Sequence, residues 1–273
     1  MANLKIKDGE GVTKYVQTSG AGTDGDPFIK PVELKLSIPT GGILGMSSVN
    51  KFGANDSIAD GTTEDIWDGG GTYSFPATAL MTSISQTADQ AAMQGKTMEL
   101  QGLDASWGIV VQEAILDSDN TENVVTLDTP LMRVFRMKVL ADVVSDSPIR
   151  CHNAAETVDY AVIGIGNNQT LMAIYTVPAG KTAYMTKYWS TSVEATGKEP
   201  KSTRFKLWMA DRDNSYEFQL KHSVGIPKAG GMVQYEFNPY MKITEKTDIK
   251  LTASPVGEIG DVAAGFDLIL IDD

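Results

Sequence analysis

Along Arg133–Leu140 successive side chains point to opposite sides: Phe135, Met137 and Val139 to one, Arg136 and Lys138 to the other. A period of two is what an extended strand imposes when one face meets a core and the other meets water. The same alternation returns three times. In Thr97–Leu100, Met98 and Leu100 oppose Thr97 and Glu99. In Tyr216–Lys221, Tyr216, Phe218 and Leu220 oppose Glu217, Gln219 and Lys221. In Asp248–Ser254, Ile249, Leu251 and Ala253 oppose Lys250, Thr252 and Ser254. Helical periodicity is scarce. The best candidate, Thr87–Gly95, has Asp89 as a cap and Gly95 as a stop, and a loop fits it equally well.

Further strands are predicted at 27–37, 72–85, 107–116, 123–127, 160–165, 170–177, 182–193, 203–210, 232–244 and 265–271. Turn signals fall between them, among them Asp117-Ser-Asp-Asn, Gly166-Asn-Asn, Pro178-Ala-Gly and Lys228-Ala-Gly-Gly. Many short strands at this spacing predict an all-β fold: an antiparallel β-sandwich of jelly-roll type over residues 72–273. Residues 1–71 are rich in Gly, Asp, Ser and Thr and read as an extended N-terminal arm with one or two strands. A solvated linker has little use for a tryptophan, so the apolar anchors Leu44, Phe52, Ile66 and Trp67 are candidate contacts through which the arm docks on a neighbouring subunit.

Of the 273 residues, 42% are hydrophobic and 21% charged, which suffices for a sizeable core. The net charge of −12, with basic residues in short interrupted segments around 133–138 and 198–206, argues against direct nucleic-acid binding. A single cysteine, Cys151, forms no intrachain disulfide. The start MANLKIKDGEGVTKY has no apolar h-region, so no signal peptide is expected, and no apolar run approaches the length of a membrane span.

Catalytic constellations are not evident. His152 and His222 read as surface or strand-end residues, and Cys151 and His152, as strand neighbours, would point apart. One cysteine and two histidines give no zinc spacing. Asp117-Ser-Asp119-Asn-Thr121 and Asp211-Arg-Asp213-Asn-Ser215 open like calcium loops but lack Gly at position six and read as ordinary turns. Gly164-Ile-Gly166 is half a dinucleotide fingerprint followed by a strand, which offers no helix N-terminus to a phosphate. Gly180-Lys181-Thr182 echoes a P-loop, but Tyr175 stands where the pattern needs Gly and Pro178 removes an amide. Pro178 and Gly180 instead predict a structural hairpin turn, Gly180 taking a left-handed conformation. Tyr184 and Tyr188 are expected to share one strand face, Met185 and Trp189 the other, with Trp208 opposite Phe205, Leu207 and Met209. These aromatics read as core, with an exposed stripe for subunit contact or glycan recognition as the alternative. Paired carboxylates of a glycosidase are a third, weaker reading.

Four segments carry a family resemblance: TMELQGLDASWGIVVQEAIL (97–116), LMRVFRMKVL (131–140), GNNQT (166–170) and YTVPAGKTAY (175–184). In this order they resemble β-rich virion structural proteins of tailed bacteriophages, particularly marine and cyanobacterial ones, over about residues 72–273. The resemblance implies a non-enzymatic virion component, of head decoration (cement) or fibre type, made in the host bacterial cytoplasm. It implies no catalytic, cofactor or metal residues. The expected partners are capsid or connector proteins and further copies of the chain, a homotrimer being the first expectation. The alternative is a fibre or receptor-binding protein that recognises a host surface glycan, with no membrane insertion in either case.

Overall fold

A computed structural model of the chain describes residues 2–7, 13–18, 34–195, 197–211, 215–228 and 230–273. Among these the elements are β1 (Ala2–Lys7), β2 (Thr13–Thr18), α1 (Leu34–Ser37), β3 (Met46–Ile58), β4 (Glu64–Asp65), β5 (Met81–Gln86), β6 (Thr97–Leu103), β7 (Ile109–Ile115), β8 (Val125–Leu131) and β9 (Arg133–Val139). They continue with β10 (Ile149–His152), β11 (Asp159–Ile163), β12 (Ile174–Thr176), β13 (Lys181–Glu194), β14 (Ser202–Ala210), β15 (Gln219–Ile226), β16 (Gly231–Ile243), β17 (Asp248–Val256) and β18 (Gly260–Asp272).

The paired strands are antiparallel. One sheet has the order β16-β13-β18-β3 and a second β12-β17-β14-β15, with β4 added on β17. Between them lies a core containing Ile58, Ile66, Tyr188, Phe205, Leu251 and Phe266. A third sheet, β11-β10-β5-β8, and a fourth, β7-β6-β9, enclose another core with Met81, Ile84, Met98, Leu100, Met137 and Cys151. Strands β5–β11 therefore form a second sandwich inserted between β4 and β12 of the first. The all-β antiparallel sandwich expected from the sequence is what forms, in two copies of the layered plan; the strand orders do not by themselves establish a jelly roll.

The cores interlock. Leu103 and Phe135 leave the inserted sandwich to pack in the first core, and Trp67, Met172 and Ile174 pack in the second. Residues 46–67 belong to the body. β3 pairs with β18 along its length, and Gly53 lies so close to Ile66 and Ala173 that a Cβ would run into their backbones. Asn55 Nδ2 donates to Asp65 O at 2.9 Å, which ties β3 to β4.

Four local expectations change, and of the two readings of Thr87–Gly95 the loop is the one that forms. Pro178–Gly180 is not a hairpin: β12 ends in the sheet of β17, whereas β13 begins between β16 and β18, so the turn is a corner between layers. Gly180 does take the left-handed conformation (φ 68°), its N–H donating to Glu245 Oε2 at 2.8 Å. A bulge at Thr186 adds one residue to β13 and reverses its facing, so Met185 and Tyr188 both enter the core while Tyr184 and Trp189 face outward, half-buried. Residues 72–80 and 216–218 are irregular, because Tyr73, Phe75, Tyr216 and Phe218 fill the seam between sandwiches in place of strand positions. Thr87–Gly95 is a loop, with Asp89 Oδ1 accepting from Thr121 N at 2.8 Å. Of the strand expected at 27–37, residues 27–33 lie outside the described residues and Leu34–Ser37 is one helical turn.

Gly180→Val forces a β-branched residue into left-handed backbone, a cost of about 1–3 kcal/mol. Denaturant unfolding should show that loss, with no change in behaviour on adding nucleotide.

Candidate functional site

The polar centre of the molecule is the seam where the inserted sandwich meets the first. Arg133, the first residue of β9, reaches across to Asp248, the first residue of β17. Its Nε and Nη2 donate to the two carboxylate oxygens at 2.8 Å each, and Nη1 donates to Pro76 O and Met132 O. Thr176 Oγ1 gives Asp248 a further hydrogen bond at 2.5 Å. The pair is buried, with side-chain exposures of 6% and 5%. The guanidinium lies 5.3 Å from the Phe75 ring centroid and 5.2 Å from that of Trp107. From there an aromatic series runs outward: Trp107 stacks on Tyr216, and Phe75 packs on Phe218. The Lys250 ammonium sits 4.7 Å from the Phe218 centroid and pairs with Asp65 at 2.9 Å. Lys51 adds a second bridge. Its buried ammonium donates to Phe135 O, and burial, with Arg136 nearby, holds it well below the ordinary lysine range.

The predicted arm contacts separate. Ile66 and Trp67 are buried in the chain's own two cores and are unavailable to a partner. That corrects the expectation: the tryptophan expected to dock the arm docks β4 and its flank against the inserted sandwich. Phe52 is half-buried in β3, and Leu44 is 92% exposed on the turn before it. Sequence reasoning missed Ile38, which is buried beside α1. It also missed the outward row Ile109, Val111 and Ile115 on β7, exposed by 51%, 60% and 58%. The signal for that row was in IVVQEAI, which carries apolar residues on both parities.

The motifs weighed as chemical sites are held in structural bonds. His152 is a strand-end residue, the last of β10, but is fully buried and not at the surface, with Nε2 paired to Ser85 Oγ at 3.0 Å and Nδ1 to Asn153 O at 2.8 Å. His222 sits among Tyr188, Tyr235 and Phe237, bonded to Tyr188 Oη at 2.5 Å. Asp117 Oδ1 accepts from Asp119 N and Asn120 N, the geometry of a turn former. The other Asp-rich loop includes 212–214, outside the described residues. Lys181 pairs with Asp272. The amide of Gly164, in the half-fingerprint, donates to the Asp68 carboxylate at 3.1 Å, as does Leu171 N at 3.3 Å. Among the described residues no group of three or more His, Cys, Asp or Glu is placed to hold a metal ion.

Burial pushes the Asp68 carboxyl from the ordinary 3.8 up to about 6, against those two amides, which favour the charged form. The folded state therefore holds this proton more tightly than the unfolded chain. Its contribution is full at low pH and is lost as pH rises from 3.8 through about 6. Urea midpoints should show that fall, and Asp68→Asn, which keeps an acceptor for both amides, should flatten it. At the seam, Arg133→Ala leaves the Asp248 charge buried and unpaired and should cost about 3–5 kcal/mol in denaturant unfolding. The double change Arg133→Met with Asp248→Leu should cost less than Arg133→Ala alone.

No family model matches the sequence, and no curated protein matches it. Among solved structures the chain is similar to one in the structure of infectious bursal disease virus Gx strain. The two are 10% identical, and the overlap covers 88% of this chain and 78% of that one, with a TM-score of 0.25. It is also similar to one from T=1 particles derived from infectious bursal virus, at 9% identity, 84% and 74% coverage and a TM-score of 0.18. Neither likeness bears on function.

Proposed function

We propose that the chain is a non-enzymatic structural component of a tailed-phage virion. In this reading it is a head decoration or cement protein that assembles as a symmetric oligomer, a trimer in the simplest arrangement, and docks through its N-terminal segment. The observation that carries the reading is the use to which the reactive side chains are put. Arg133, Asp248, Asp68 and His152 each hold backbone to backbone or one sandwich to the other. These side chains are engaged in the fold and are not presented to a substrate. The order of motifs shared with phage virion proteins supports the same reading. So do the surface apolar positions Ile109, Val111, Ile115 and Leu44, which suit contacts with further copies or with capsid and connector proteins. Many copies on one particle would add avidity to a modest single contact.

Two measurements test it. Quantitative mass spectrometry of purified virions should find the chain at a copy number comparable to the major capsid protein; a handful of copies per particle would exclude a cement role. Removing residues 1–33 should weaken capsid binding while leaving the melting temperature unchanged. Removal of 1–71 is unsuitable, because it also deletes strand β3 and the core residues Ile58 and Ile66.

A further inference from the structure

Strand β14 turns Phe205, Leu207 and Met209 into the core and Arg204, Lys206 and Trp208 outward. Its neighbours on both sides extend that outward row. Arg204 lies between Ser254 on β17 and Gly225 on β15, Lys206 between Thr252 and Ser223, and Trp208 between Lys250 and Leu220. These nine positions hold three cations, and the carboxylate that β4 adds to the row is Asp65, opposite Thr252, on a chain whose net charge is −12. Lys250 is paired with Asp65, whereas Arg204 and Lys206 have no carboxylate partner among the described residues. A locally basic face on an acidic protein concentrates anions where the rest of the surface repels them.

The face also has a fixed aromatic surface and a cavity. Trp208 Nε1 donates to Thr252 Oγ1 at 3.0 Å, which sets the plane of the indole, and the Lys206 ammonium lies 5.5 Å from its centroid. A cavity of about 240 Å³ is lined by Trp208, Phe218, Lys250 and Thr252. The two acids that also line it are engaged: Asp65 by Lys250, and Glu64 by Gly71 N at 2.7 Å. That volume is below the roughly 300 Å³ at which drug-sized pockets begin, a size suited to one ring.

We propose that this face binds an anionic saccharide, with one sugar ring laid against Trp208 and its carboxylate or phosphate held by Lys206 and Arg204. An indole presents a flat apolar surface to the C–H face of a sugar, and the cations make charge-assisted hydrogen bonds to the acid group. Ser223, exposed beside Lys206, offers a hydroxyl to the ring's own. β14 is hydrogen-bonded on both sides, so it presents no free edge on which a peptide could add a strand. Recognition must come from side chains. This site lies on the first sandwich, away from the N-terminal segment, and its test is independent of the assembly role proposed above.

Isothermal titration of the full chain with trigalacturonate, glucose 6-phosphate and the neutral maltotriose tests the proposal. At least one anionic sugar should bind, and maltotriose should bind about tenfold more weakly or worse. Binding of the phosphate sugar alone identifies the anion as phosphate and supports the proposal equally. Trp208→Ala and the pair Arg204→Ser with Lys206→Ser should each cut affinity about tenfold. Trp208→Phe should retain part of it, and Lys242→Ser, which removes a cation on the other sheet, should change nothing. Melting curves of all variants separate lost binding from lost fold. The proposal is overturned if neither anionic sugar binds, if maltotriose binds as well as they do, or if oligoglutamate or oligothymidylate binds more tightly than either.

Discussion

Moving a guanidinium and a carboxylate out of water costs several kcal/mol for each ion. The Arg133–Asp248 pair withstands that cost because its surroundings satisfy it almost completely. Two parallel hydrogen bonds join the charges, two backbone carbonyls take the Nη1 protons, Thr176 supports the carboxylate, and two aromatic rings flank the cation. Such a site tolerates little displacement. The two strands that carry it, β9 and β17, belong to different sandwiches, so their mutual position is fixed by the demand that neither charge be left unpaired. Lys51, donating to Phe135 O, imposes the same demand between β3 and β9.

Around these polar bridges the seam is apolar and aromatic, which keeps the local dielectric low and makes each hydrogen bond there stronger. The exchange of Leu103 and Phe135 for Trp67, Met172 and Ile174 between the cores extends the same principle to packing. Neither sandwich has a complete core without the other. Rotation at the seam would open both cores together with the ion pair.

Strands were legible in the sequence in three of the four alternating segments; in the fourth, 216–218 is irregular and Leu220 is 49% exposed. Met98 and Leu100 on β6, Phe205, Leu207 and Met209 on β14, and Ile249, Leu251 and Ala253 on β17 all point inward as their alternation required. Period-two reading fails where the backbone breaks period. The extra residue at Thr186 cannot be seen in composition, yet it decides which of Tyr184 and Tyr188 is buried. Partner choice was equally hidden: the Pro178–Gly180 turn looks the same whether it joins neighbours in one sheet or strands in opposite layers. The seam was invisible for a further reason. Tyr73, Phe75, Tyr216 and Phe218 act from irregular backbone, where no pattern marks an aromatic that packs across the seam. The basic face around Trp208 was half legible, since Arg204, Lys206 and Trp208 share the outward parity of one strand but Lys250 comes from a strand distant in sequence.

The insertion of one sandwich within another also orders events in time. Strands β6, β7 and β9 find their partners within a few tens of residues, but β3 pairs only with β18, Met46 lying opposite Ile271. Contacts so far apart in sequence form slowly, and in a chain made from its N-terminus β3 must wait until nearly all the rest has been synthesised. A waiting strand with a free edge is a hazard for aggregation. β3 is built to wait: its thirteen residues, MSSVNKFGANDSI, hold Lys51, Asn50, Asn55, Asp56 and three serines among few large apolar side chains. The polarity that makes this segment resemble a solvated arm on paper is also what would keep it soluble until its place in the sheet exists.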